Sequence, residues 1–315
     1  MSGCLVAMYH YVRDSAATAF PGVNALAVAD FDRQLDALAA AGAPVTCEGL
    51  VTRLDAGRPF ERPSLLLTFD DGFVDHYTAV FPRLADRGWS GVFFLAGDTL
   101  GDRPRVLNVH KTHFLVSRLG AAAFAAAVRE AAARVPAGAG AGLRPTPAVY
   151  RYDAAAGDRD VKHLLNYELP FETADRVLDE LFTTHIGDET EFARALYLSG
   201  PMIREMAAAG MTFGYHTARH RVLSRLDVAG QRTELAGGVA RIRALTGQAL
   251  VPFCYPYGHP HTYTAETVAV LADLGYACAF TTVRRLARPE SDGRFEVPRY
   301  DTRDLPPFTS DMPHA

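Results

Sequence analysis

The 315-residue chain reads as an α/β protein whose parallel strands curl into a closed or nearly closed barrel. About seven short apolar runs alternate with amphipathic helical stretches, which is the grammar of repeated βαβ units. Several of those runs also end abruptly in acids, histidines or tyrosines. A buried strand has no internal use for such groups, whereas the carboxyl rim of a parallel barrel is where ligands are met.

Taken in order, residues 4–10 form a first strand, apolar until Tyr9-His10 at its end. A helix capped by Asp30 follows, with Phe31, Leu35 and Leu38 on one face and Gly42 as its stop. Residues 65–69 are a strand ending in Asp70-Asp71-Gly72, residues 77–86 a helix closed by Gly88, and residues 91–95 a third strand. The alternation then breaks. Residues 99–198 read as a mainly helical insertion able to act as a lid, leaving residues 1–98 and 199–315 as the barrel. Within the insertion, residues 114–135 read as one Ala-rich helix, 136–147 as a Gly/Ala/Pro linker and 171–186 as an amphipathic helix. Alternation resumes with a helix over 200–209, a strand over 211–215 and a long helix over 227–245. A strand over 251–255, a helix over 265–274 and strands over 276–281 and 295–300 complete the count.

Composition excludes several classes of function. With 49% hydrophobic and 22% charged residues the chain builds an ordinary core, and a net charge of -4 offers no footprint for nucleic acid. No stretch reaches the roughly 18 apolar residues of a membrane span. The start, Met1-Ser2-Gly3-Cys4-Leu5-Val6, lacks the basic and apolar regions of a secretory signal, so a cytoplasmic protein is expected. Four widely spaced cysteines, Cys4, Cys47, Cys254 and Cys278, read as free thiols.

The chemistry concentrates at strand ends. His216 and His220, four apart, meet one ion if their segment turns into a helix, and a carboxylate completes a set that leaves positions open for water and substrate. Solvated or core histidines are the plainer alternative for such a pair, as an Asp-Gly turn capping a helix is for Asp70-Asp71-Gly72. His110 and His113, in Asn108-Val109-His110-Lys111-Thr112-His113, either face the site from the insertion or simply open a helix.

Thr68-Phe69-Asp70-Asp71-Gly72, His216-Thr217-Ala218-Arg219-His220 and Tyr255-Pro256-Tyr257-Gly258, in this order, resemble the first three motifs of the polysaccharide deacetylases, carbohydrate esterase family 4. The resemblance covers roughly residues 1–98 and 199–305. It implies a deformed (β/α)7-8 barrel with Asp70 as catalytic base. It also implies Asp71, His216 and His220 as ligands of a divalent metal, usually zinc, with cobalt, nickel or manganese as substitutes. The backbone N–H of Tyr257 is implied as an oxyanion donor.

The pattern departs from the family in two places. Cys254 stands where the third motif commonly has an arginine that braces the base, and no late Leu-x-His motif supplies the acid. Met8-Tyr9-His10 resembles the opening strand of the circularly permuted branch, which includes poly-N-acetylglucosamine deacetylases, and by that likeness His10 is the acid. Arg299, in Val297-Pro298-Arg299-Tyr300-Asp301, is the candidate brace; pairing with Asp301 or Asp304 at the surface is the alternative. Tyr9, Phe73, Tyr215, Tyr255 and Tyr257, like His110, stand where a sugar would be held, or belong to the barrel core.

The expected activity is metal-dependent removal of an N-acetyl group from an amino sugar, a small cytosolic glycoside or biosynthetic intermediate rather than a polymer. O-acetyl or formyl hydrolysis by the same residues is a second reading, and a catalytically silent carbohydrate-binding relative a third. No nucleic-acid partner and no membrane span are expected.

Overall fold

The computed structural model describes residues 3–134 and 161–313. The expected Gly/Ala/Pro linker at 136–147 lies outside the described residues. The first half runs β1 (Cys4–Tyr9), α1 (Val28–Ala41), β2 (Ala43–Pro44), α2 (Cys47–Ala56), β3 (Ser64–Phe69), α3 (Phe81–Asp86) and β4 (Gly91–Leu95). Every residue of β1, β3 and β4 is buried. Strands covered on both faces gain from apolar side chains at all positions, so these runs are continuous rather than alternating.

The crossover from β4 to the next strand carries α4 (Asn108–Leu119), α5 (Ala121–Ala133), α6 (Phe171–His185), α7 (Glu189–Leu196) and α8 (Gly200–Ala208). The rest is β5 (Thr212–Tyr215), α9 (Val228–Leu235), α10 (Gly238–Thr246), β6 (Phe253–Cys254), α11 (Ala265–Asp273), β7 (Ala279–Phe280) and β8 (Tyr300–Asp301).

The strands form one parallel sheet in the order β7-β6-β5-β4-β3-β1-β8, with β2 beside β3. Val297 bridges to Phe280 and Tyr300 pairs with Ala7, so the last segment runs along the seam between β7 and β1 and nearly closes the barrel. The layer between the sheet and its helices is aromatic: Tyr9 stacks on Phe69 at 5.1 Å and Phe69 on Phe93 at 4.7 Å, packed against Phe31 and Leu35 of α1 and Leu84 of α3. Burying each such ring is worth about 1.5–3 kcal/mol, which makes this stack a main support of the strands whose ends carry chemistry.

Two expected helices are each two. The Ala-rich stretch divides at Gly120 (φ 79°) and the 227–245 stretch at Gly237 (φ 77°), backbone conformations that glycine alone adopts without strain. The strands at 251–255 and 276–281 shorten to two residues each, because along the seam their hydrogen bonds go to irregular chain, as in Ala279 N–H to Arg294 O at 2.8 Å. Helix α2, with Leu50, Val51 and Leu54 buried, was not anticipated.

The β4–β5 crossover has its own apolar cluster, including Leu115, Phe124, Val128, Val177 and Leu181. A second cluster, with Tyr11, Phe73, Phe114, Phe182 and Tyr197, joins those helices to the barrel rim.

Candidate metal and catalytic centre

Parallel register decides which residues meet. β1 and β3 pair from Cys4 with Ser64 to Tyr9 with Phe69, so the residues that follow, His10 and Asp70, emerge side by side. Asp70 N–H donates to Tyr9 O at 2.8 Å, and His10 Nε2 lies 3.8 Å from Asp70 Oδ2. Two strands along, β5 delivers His216, whose N–H donates to Leu95 O at the end of β4.

The His216–His220 segment is not the helix its spacing suggested. It is a loop with Thr217 at φ 63° and His220 at φ 58°, fixed by His220 N–H donating to Thr217 Oγ1 at 2.8 Å and Ala218 N–H donating to Glu234 O. Among the described residues only Asp71, Thr217, His220 and Tyr257 have positive φ without being glycine. All four belong to the three motifs, which places the backbone strain of the fold at one rim.

Asp71 Oδ1 lies 3.6 Å from His216 Nε2 and 3.7 Å from His220 Nε2. These separations are too long for hydrogen bonds and suit ligands about 2.0–2.2 Å from a shared zinc. His216 Nδ1–H donates to Cys254 O at 2.7 Å, which leaves the Nε2 lone pair turned inward. Asp71 Oδ1 is buried with no hydrogen-bond partner. Three donor atoms converging within 4.8 Å, one an orphaned carboxylate oxygen, fit a divalent cation. Burial pushes His216 down and His220 down to about 3, with His216 beside it adding to the shift, so both stay neutral as ligands must. Burial would raise Asp71, but the surrounding imidazoles, His110 foremost, hold it well below the usual carboxylate range.

Asp70, His216 and Cys254 also converge within 4.8 Å, yet that group suits a metal poorly. Both Asp70 oxygens are taken by Arg299, and burial keeps the Cys254 thiol protonated.

Arg299 pairs with Asp70 and not with Asp301 or Asp304. Its Nη1 and Nη2 reach Oδ1 and Oδ2 at 2.8 and 2.9 Å. Its other donors go to Thr68 Oγ1, Thr281 O and Cys254 Sγ at 3.1, 2.9 and 3.0 Å, so all five N–H groups of a fully buried guanidinium have partners. The small Cys254 leaves room for this side chain. Burial alone would raise Asp70; the charge and hydrogen bonds of Arg299 outweigh it and hold the carboxyl at about 2.

Tyr9, Tyr215 and Tyr255 are in the core and do not reach the cleft. Tyr9 is wedged between Phe31 and Phe69, Tyr215 stacks on Tyr276, and Tyr255 stacks on Tyr263 at 4.0 Å and donates to Phe295 O. Tyr9 and Tyr215 are the last residues of β1 and β5, and Tyr255 follows the last residue of β6. All three rings pack in the apolar layer shared with Phe31, Ile203 and Leu271 of the surrounding helices. Tyr257, by contrast, sets its ring edge against His220 at 5.0 Å. Phe73 stacks on Tyr11 at 3.9 Å. His110 is buried against the Asp71, His216 and His220 cluster and does not open to the cleft, its Nε2 3.2 Å from Asp71 Oδ2, while His113 meets the Tyr11 hydroxyl at 3.4 Å. Glu234, which accepts Arg219 N–H at 2.9 Å beneath the His216–His220 loop, was missed; nothing in the helix around it marks it out from a surface acid.

A parallel barrel with two carboxylates, two imidazoles and a buried arginine on its carboxyl rim is the architecture of a carbohydrate deacetylase. The polysaccharide deacetylase family model matches residues 57–121 and 181–279, just over half of the chain. The chain belongs to this family.

Among solved structures it is similar to the Streptococcus pyogenes deacetylase PplD in complex with acetate, with TM-score 0.58 and 16% identity over 97% of this chain and 93% of that one. It is also similar to IcaB from Ammonifex degensii, with TM-score 0.54 and 19% identity over 95% and 91%. The BpsB deacetylase domain from Bordetella bronchiseptica gives 0.54 and 18% over 94% of each. At these identities the likeness is one of fold. No curated protein matches the sequence. No helix among the described residues is long and apolar enough to cross a membrane.

Proposed function

We propose that the protein is a metal-dependent hydrolase that removes the N-acetyl group from an amino sugar. The observation that carries this reading is the convergence of Asp71 Oδ1, His216 Nε2 and His220 Nε2 beside a second carboxylate, Asp70, that the metal does not need. A divalent cation, zinc by the chemistry of an Asp-His-His set, would polarise the amide carbonyl and acidify a bound water.

The chain's own groups supply the rest. Asp70, kept ionised by Arg299, takes the proton of the attacking water. His10, with its side chain 42% exposed and 3.8 Å from Asp70, is placed to hand a proton to the departing nitrogen. An amine leaves poorly without one, so His10 should matter more for amides than for esters. The backbone N–H of Tyr257 is the candidate oxyanion donor, its peptide turned by φ 63° and its carbonyl held by the Thr282 hydroxyl at 3.0 Å.

Substrate size and location belong to this reading too. Tyr167, from the β4–β5 crossover, packs with Val222 and Tyr257 beside the motif loops, which supports the crossover as a lid and a small glycoside as substrate. The four cysteines are all buried free thiols, which supports a cytosolic site. Similarity to IcaB and BpsB supports placement in the permuted branch, with His10 as its N-terminal acid.

The test is acetate release, measured together with free amine, from N-acetylated and O-acetylated sugars of one to several units. Chelator-sensitive release with equal amine supports the proposal; release from esters alone would make it an O-acetyl esterase, and none would favour a binding protein.

A further inference from the structure

We propose that His110, carried on α4, is the positioning residue of Asp71: it donates Nε2–H to Oδ2 and so leaves Oδ1 turned to His216 and His220. This rests on the metal-site reading above and assigns to the β4–β5 crossover a part in building that site as well as covering it.

The argument starts from Tyr197. Its hydroxyl accepts Leu107 N–H at 3.1 Å and lies 2.6 Å from His110 Nδ1. Both side chains are buried, and a buried phenol proton needs an acceptor. Nδ1 is that acceptor, which puts the imidazole proton on Nε2. Nε2 faces Asp71 Oδ2 at 3.2 Å. The approach is bent, since Nε2 makes no well-aligned hydrogen bond, yet no other donor of the described residues meets either oxygen of Asp71 more closely.

His110 does not join the ligands themselves. The convergent set is Asp71, His216 and His220, and the side of His110 that could contribute a lone pair is occupied by Tyr197.

The surroundings hold this arrangement in place. The His110 ring lies 4.7 Å from Phe73 and 5.7 Å from Tyr197. Its neighbour Lys111 ties α4 to Asp179 of α6 and, at 2.8 Å, to Glu189 of α7. The far end of the crossover is stitched to the Asp71 loop, with Leu198 N–H donating to Gly72 O and Val74 N–H to Leu196 O, each at 2.8 Å. Tyr197 and His110 are therefore a hydrogen-bonded pair set against the second oxygen of Asp71. Partners of ligating carboxylates typically change metal affinity by 10–100-fold when removed.

The experiment measures zinc affinity by chelator competition, and the visible spectrum of the cobalt-loaded protein, for the wild type and three variants. His110→Ala should raise the zinc dissociation constant about 10–100-fold. His110→Gln, whose amide can donate from nearly the same place, should recover most of the loss with a wild-type cobalt spectrum. Tyr197→Phe, which removes the tautomer lock, should fall between them. If His110→Ala does not fold, Tyr197→Phe against His110→Gln decides by the same order. Wild-type zinc affinity in His110→Ala or Tyr197→Phe would overturn the proposal, as would a cobalt spectrum that changes coordination number in His110→Gln, the mark of a lost ligand. A wild type that binds neither metal would instead overturn the metal-site reading itself.

Discussion

Asp70 and Asp71 are adjacent, chemically identical and equally buried, and their partners set them apart. Asp70 spends both oxygens on Arg299, while Asp71 turns one toward two imidazoles. Asp70→Asn should therefore keep its metal and lose activity by about 10²–10⁴-fold, as acetate-release kinetics and metal content on the same sample would show. Arg299→Met leaves a buried carboxylate without its cation, which costs about 3–5 kcal/mol of stability in urea unfolding. It also lets burial raise Asp70 from about 2, so the acid limb of the pH–rate profile should move to higher pH. An unmoved limb would mean that Asp70 is not the titrating base. Asp71, His216, His220, Asp70 and Arg299, which the structure brings together at one rim, were all legible as strand-end residues or through motif likeness. The tyrosines were misread because successive strand residues face opposite ways: Tyr9 and Tyr215 precede the rim residues His10 and His216 but turn into the layer packed by helices, a distinction of one residue that motif adjacency does not resolve.

The elements were legible where periodicity is long and unbroken, as in β1, β3, β4 and α6. They were not legible where a single glycine interrupts an otherwise helical pattern, because periodicity averages over the break. Gly120 has φ 79° and ψ 153°, a conformation that side chains with a Cβ scarcely enter. Gly120→Ala should cost about 1–3 kcal/mol, read as a lower melting temperature. Since α4 carries His110, it should also weaken zinc binding; the same substitution with neither effect would show that the angle between α4 and α5 is not fixed there. The His216–His220 loop shows the same limit: a spacing of four is compatible with a helix, but two residues at positive φ bring the imidazoles together instead.

At the scale of the molecule, the barrel keeps several titratable groups away from water at one rim. Burial lowers His76 to about 4, His220 to about 3, and His216 as well. Below about pH 6.5, the usual histidine value, the unfolded chain binds these protons and the folded one resists them, so stability is lost as pH falls from there. The depressed Asp70 adds to the loss between its unfolded value near 4 and its folded value of about 2. The melting temperature should accordingly decline steadily from pH 6.5 to 3, and a flat profile from pH 7 to 4 would contradict the burial described. Added zinc should raise the melting point at neutral pH, by the equivalent of about 2.7 kcal/mol at a hundredfold excess over its dissociation constant. That gain should shrink on acidification, since protons and metal compete for the same nitrogens.

The central claim is met most directly by elemental analysis of the purified wild type and of His220→Ala after identical zinc loading and desalting. One equivalent of metal in the wild type and close to none in the variant is the predicted result, with circular dichroism showing both folded. A full equivalent retained by folded His220→Ala, or none in the wild type, would contradict it.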